Sequence, residues 1–111
     1  MLGLGLDAVT VAAPTHLHRD IALAAIARGV HVLVEKPIAS TVEEGREIIA
    51  AARPAGLTLM IGHVERFNPA VEAIKEAIRN DDILSISITR VGPFPPRMSN
   101  VGVVSALAVH D

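Results

Sequence analysis

Glu35-Lys36-Pro37 closes a run of apolar residues, His31-Val32-Leu33-Val34, and puts a lysine where a buried strand should end. A lysine partly withdrawn from water there is a candidate for proton transfer or for polarising a substrate oxygen. Pro37 stiffens the turn and removes a backbone donor. Taken alone, the tripeptide reads more simply as a surface ion pair between charged neighbours. Two further clusters carry groups of similar chemical use. Pro14-Thr15-His16-Leu17-His18 offers a hydroxyl and two imidazoles, and Gly62-His63-Val64-Glu65-Arg66-Phe67 offers an imidazole and a guanidinium. Position alone leaves two readings of the first cluster open, a capped helix start or a turn whose amides meet an anion. The five histidines are not set at ligand spacings with cysteine or acidic residues, apart from the adjacent pair His110-Asp111, so no metal site is expected.

The elements that must position these clusters alternate. Ala8 to Ala13 reads as a short buried strand stopped by Pro14. Thr15 is placed to cap a helix starting near His16, with Ile21, Ala22, Ala25 and Ile26 as its apolar stripe and Gly29 at its end. His31 to Val34 is the second strand. Thr41-Val42-Glu43-Glu44 spells a capping box opening a helix with Ile48, Ile49 and Ala52 on its apolar side. Leu57 to Ile61 is the third strand, ended by Gly62. Asn68-Pro69 starts a third helix, with Val71, Ile74 and Ile78 as its stripe. From Leu84 the period changes to two, as in a half-exposed strand of an antiparallel or mixed sheet, and Val101 to Asp111 reads as the start of a further apolar element, helical in pattern.

Alternation at this spacing implies right-handed crossovers and a parallel sheet. Ligands of such sheets bind at the carboxyl ends of the strands. All three clusters fall on that edge, and their coincidence favours a site where each alone would not. Gly3-Leu4-Gly5-Leu6-Asp7-Ala8 formally matches a G-x-G-x-x-A phosphate-binding turn, but such a turn follows a strand and opens a helix, whereas here a strand follows. A domain boundary is expected near Asn80-Asp81-Asp82, dividing the chain into 1–80 and 81–111.

Half of the 111 residues are hydrophobic, a fifth are charged and the formal net charge is -2, a balance that supports folding and gives no footprint for nucleic acid. Phe67 and Phe94 are the only aromatics, so the core must be built from Ala, Val, Ile and Leu. The absence of cysteine excludes a disulfide framework and agrees with a reducing, cytoplasmic setting. No apolar run approaches the ~20 residues of a membrane span, and no signal peptide opens the chain.

A strand ending in Pro14-Thr15 with His18 behind it, then Gly-Val-His-Val-Leu-Val-Glu35-Lys36-Pro37-Ile-Ala, then Gly62-His63 with Arg66-Phe67-Asn68-Pro69, resembles the Gfo/Idh/MocA oxidoreductases. The segment from Arg90 to Arg97, with Gly102-Val103 and His110-Asp111, looks most like the branch acting on UDP-N-acetylglucosamine. The resemblance implies the second half of a Rossmann-type parallel sheet over 1–80. It also implies the first strand and helix of an α/β substrate and oligomerisation domain over 81–111. On this reading the chain is a fragment, lacking the true glycine-rich turn and the acidic reader of the ribose.

What the resemblance implies for chemistry is a hydride transfer between a secondary alcohol of a sugar or sugar nucleotide and NAD or NADP. Pro14, Thr15, His18, Glu35 and Lys36 would border the cofactor, with Lys36 also facing the substrate hydroxyl and His110 serving as the catalytic histidine. His63, Arg66 and Arg97 would border the substrate. The partners implied are a small sugar-type molecule and, in the complete protein, further copies of itself, with neither nucleic acid nor membrane. One departure stands out: relatives commonly carry Asp four residues before the catalytic histidine, and here that position is Ala106. An acid one helical turn away could orient the imidazole, and alanine cannot. The alternative expectation is therefore a cofactor-binding regulator or inactive remnant of the same fold.

Overall fold

The computed structural model describes residues 5–87 and residue 89. These fall into two compact units, one ending at Gly62 and one beginning at His63. The domain boundary expected near Asn80-Asp81-Asp82 lies within the second unit and remains a proposal.

The first unit is a three-stranded parallel sheet in the order β1 (Ala8–Val11), β2 (His31–Glu35), β3 (Leu59–Gly62). Two helices make the crossovers, α1 (His18–Ile26) and α2 (Val42–Ala52). The alternation read in the sequence is thus the observed topology. Register aligns Val11, Val34 and Ile61 in one row and Val9, Val32 and Leu59 in another. Side chains alternate along a strand, so both rows face the same side. There they meet Ala22, Ala25 and Ile26 of α1 and Ile48 and Ala52 of α2, which form the buried core. Small residues on α1 and β-branched residues on the sheet make up this core, which contains no aromatic side chain. The other face of the sheet carries Ala8, Thr10, His31 and Met60, all exposed, and the half-buried Leu33.

Helix ends follow their local chemistry. Glu44 N donates to Thr41 Oγ1 at 3.2 Å, and the Glu44 carboxylate accepts from the amides of Thr41 and Ser40, completing the expected capping box. Gly29, at φ +74°, takes up the left-handed turn after α1, where any side chain would be strained. Arg19 on α1 donates to the Glu47 carboxylate of α2 at 2.6 Å and to Asp20 at 2.9 Å. The hydrogen bond and charge of Glu47, and then of Asp20, hold the Arg19 guanidinium above its ordinary range.

Three expectations change. Thr15 does not cap α1: residues Thr15–Leu17 form a short 3-10 turn ahead of the helix, and neither turn nor helix has a side-chain cap. The stripe of α1 runs through His18, Ala22, Ala25 and Ile26, while Ile21 is exposed. Likewise Gly45, Ile48 and Ala52 are the buried side of α2, and Ile49 points outward.

The second unit has a short 3-10 turn, Val64–Phe67, and a helix, α3 (Pro69–Ala77). Asn68 accepts from Ala70 N at 3.0 Å with Pro69 in the first turn, as expected. The expected stripe of Val71, Ile74 and Ile78 buries nothing fully. Residues 83–87 do not form the expected strand. Leu84 is 97% exposed, and no neighbouring strand among the described residues takes up the backbone donors and acceptors of this segment. The further element expected at Val101 to Asp111 lies outside the described residues.

Candidate functional site

The parallel sheet delivers two of the three clusters to one edge of the first unit. After β1, Ala12 and Ala13 lead into Pro14 and the Thr15–Leu17 turn, with Pro14 exposed and Thr15 half-buried. After β2, which ends with Glu35, come Lys36 and Pro37, both half-buried. The strands are adjacent and run the same way, so the two turns emerge side by side.

The turn after Lys36 is held at every following residue. The Pro37 carbonyl oxygen lies 2.9 Å from Nδ1 of His18, across the start of α1. Ile38 packs its Cγ2 against Gly45 so closely that a Cβ there would lie 3.3 Å from it. Ala39 is buried, and the Ser40 amide donates to Glu44 at 3.0 Å. A helix-interior glycine costs roughly 0.5–1 kcal/mol relative to alanine; at Gly45 the cost is offset by room for Ile38. Lys36 is therefore carried on a fixed turn rather than on a loose loop. The Lys36-Pro37 peptide is cis.

Glu35 pairs in register with Gly62 at the end of β3. Its carboxylate lies across that glycine: Oε1 is 3.0 Å and Oε2 3.1 Å from where a Cβ would sit. The glycine ending β3 thus seats a neighbouring carboxylate, a role that spacing alone could not reveal because it depends on register.

Histidine 18, read in the sequence as a ligand neighbour, is 1% exposed. Nε2 lies 2.8 Å from the Ala13 carbonyl oxygen and Nδ1 faces Pro37, so both ring nitrogens are engaged inside the unit. The signal for its burial was present: His18, Ala22, Ala25 and Ile26 fall at helical spacing on one face. His16 is exposed.

His63 follows Gly62 directly in the chain, and Arg66 lies in the turn Val64–Phe67; both side chains are exposed. They belong to the second unit. Arg97 and His110 lie outside the described residues. No cluster of metal-binding residues occurs among the described residues, and no described helix is long and apolar enough to cross a membrane.

Helix starts differ in what they leave for an anion. Those of α2 and α3 are occupied by their own side chains, Thr41 with Glu44 and Asn68. The turn at the end of β1 has no such side-chain cap. Residues 3–63, more than half of the chain, match the family described as "Oxidoreductase family, NAD-binding Rossmann fold" (GFO_IDH_MocA). The chain belongs to the Gfo/Idh/MocA oxidoreductase family.

Among Gfo/Idh/MocA relatives, UDP-N-acetylglucosamine 3-dehydrogenase of Acidithiobacillus ferrooxidans is 35% identical over 105 residues, 95% of this chain and 33% of the relative. A crystal form of that enzyme superposes with a TM-score of 0.77 at 32% identity, over 94% of this chain and 34% of that one. The WlbA dehydrogenase of Bordetella pertussis, in complex with NADH and UDP-GlcNAcA, gives 0.67 at 35% identity, over 71% and 23%. Biliverdin reductase from Synechocystis, in complex with biliverdin and NADP+, gives 0.64 at 33% identity, over 68% and 24%. This Gfo/Idh/MocA chain spans about a third of the length of the curated relatives it matches. A nicotinamide cofactor is common to the two bound complexes, while their second ligands differ widely.

Proposed function

We propose that this chain forms the nicotinamide side of the active site of an NAD(P)-dependent dehydrogenase that oxidises a secondary alcohol of a sugar or sugar nucleotide. The observation that carries the reading is the fixed Glu35-Lys36-Pro37 turn at a parallel-strand end, beside the Pro14-Thr15 turn of the neighbouring strand. The residues fit the nicotinamide end of a dinucleotide. Two adjacent turns border the strand ends, a half-buried lysine is at hand, and the β1 turn has no side-chain cap occupying it. They do not include the glycine-rich turn for the pyrophosphate, which in a Rossmann sheet follows a different strand.

When bound, oxidised nicotinamide supplies the hydride acceptor. Pro14, Thr15 and Glu35 border it, and His18 supports that border from inside the unit. Lys36 meets the substrate hydroxyl, where its positive charge favours the alkoxide that develops as the proton leaves. His110 takes that proton as general base. His63, Arg66 and Arg97 would border the sugar and its anionic groups, where a guanidinium suits an anion. Likeness to a sugar-nucleotide dehydrogenase over 95% of the chain supports this substrate class over a tetrapyrrole.

Ala106 favours a second reading, a cofactor-binding regulator without turnover. A chimera decides between them: this chain replaces the aligned third of the Acidithiobacillus enzyme, and cofactor reduction is followed with UDP-N-acetylglucosamine. Turnover that rises when Ala106→Asp restores the acid supports the dehydrogenase. A folded chimera that binds cofactor but reduces none, with or without Ala106→Asp, overturns it in favour of the regulator.

A further inference from the structure

Among the described residues His18 is the one buried polar or charged side chain. It sits at the first position of α1, yet its ring faces two backbone carbonyls from different segments. One belongs to Ala13, in the connection leaving β1, and the other to Pro37, next to Lys36. Carbonyl oxygens only accept hydrogen bonds. The ring therefore donates to one of them in either neutral tautomer and to both when each nitrogen bears a proton. Both contacts, 2.8 and 2.9 Å, lie within hydrogen-bond distance, and the tautomer decides which of them carries the proton. Among the described residues no buried side-chain polar atom lacks a neighbour at hydrogen-bond distance.

We propose that His18 is the positioning residue of the Lys36 turn, acting through an Nδ1–H that donates to the Pro37 carbonyl oxygen. The ring ties the exit of β1 to the exit of β2, the two turns assigned above to the cofactor border. Other anchors act farther along: Ile38 on Gly45, and Glu44 on the amides of Ser40 and Thr41. The Pro37 carbonyl lies one peptide from Lys36, and losing its donor would remove the bond that ties this turn to α1. The lysine's task rests on the proposed dehydrogenase reading, but the clamp itself does not.

The test uses the whole 111-residue chain with 15N-labelled histidine, without cofactor or substrate. Long-range proton–nitrogen correlation is expected to show a protonated Nδ1 at His18. A bare Nδ1, with the proton on Nε2 alone, overturns the proposal because such a nitrogen cannot bond the Pro37 carbonyl. Two variants separate clamping from space-filling. His18→Gln keeps an amide donor and is expected to hold the Ile38 and Ala39 amide resonances near their original positions. His18→Leu fills the site without a donor and is expected to move them, while Val32 and Ile48 stay in place. Native-like Ile38 and Ala39 resonances in His18→Leu would show that the ring only fills space and would overturn the clamp. If neither variant folds, the protonation measurement on the unaltered chain still decides. A protonated Nδ1 together with an inactive chimera would leave the clamp standing and remove the dehydrogenase reading.

Discussion

Residues 5–62 and residues 63–87 both contain helices with an apolar stripe in the sequence, and they came to different ends. In the first unit every strand and both helices contribute to one buried core, and the turns at the strand ends hang from it. In the second, α3 also has a side-chain cap, yet none of its residues is fully buried and Phe67 ahead of it is 80% exposed. Capping is local chemistry: one side-chain oxygen and one amide, a few residues apart, suffice. Burial needs a second surface, and no α3 residue is fully buried. The candidate chemistry divides along the same line, because His18 is buried and Glu35 and Lys36 are half-buried while His63 and Arg66 are exposed.

The sharpest way to break this contrast is to open the core. Ile48→Ala removes a fully buried side chain between α2 and the sheet. Its expected cost is about 2–5 kcal/mol, read from urea denaturation followed by circular dichroism. A loss near zero would mean that the first unit has no fixed core.

A smaller effect is expected where local chemistry alone is at stake. Thr41→Ala removes the hydroxyl that accepts from Glu44 N and leaves α2 uncapped. The expected loss is about 1 kcal/mol in the same denaturation. An unchanged midpoint would show that the Glu44 carboxylate, bonded to two amides, closes the helix start unaided.

The smallest effect should come from the second unit. Ile74 lies on the apolar side of α3 but is 59% exposed. Ile74→Ala is expected to change stability by no more than about 0.5 kcal/mol, as surface substitutions do. A loss comparable to that of Ile48→Ala would mean that the stripe of α3 is covered in solution, and the contrast between the units would fail.

The same distinction explains what was readable in the sequence. The order of strands and helices, the capping box at Thr41 and the Asn68-Pro69 start depend on neighbours in the chain, and all were legible. So was the Glu-Lys-Pro turn, because a proline after a charged pair at a strand end marks itself. Ile21 and Ile49 were placed inside on hydrophobicity, but the buried stripes are set by the sheet each helix packs on, which favoured His18 and Gly45 instead. His18 was hidden by its polarity: its helical phase with Ala22 and Ala25 pointed inward, and only the fold supplies the two carbonyls that let an imidazole sit there. The seat of Glu35 on Gly62 requires the register of β2 against β3, which no single segment encodes. The strand expected from Leu84 had the right alternation, but residues 83–87 have no partner strand among the described residues.

The central claim is that the fixed turn after β2 presents Lys36 to a reacting alcohol beside the nicotinamide. Its most direct test is Lys36→Met in the chimera with the Acidithiobacillus enzyme, measuring kcat with UDP-N-acetylglucosamine and, separately, the cofactor Kd. A lysine that acts on charge developing only during reaction should be missed in turnover, by on the order of 10²–10⁴, and hardly in cofactor binding. A kcat close to that of the unaltered chimera, or a loss confined to cofactor affinity, would contradict the assignment.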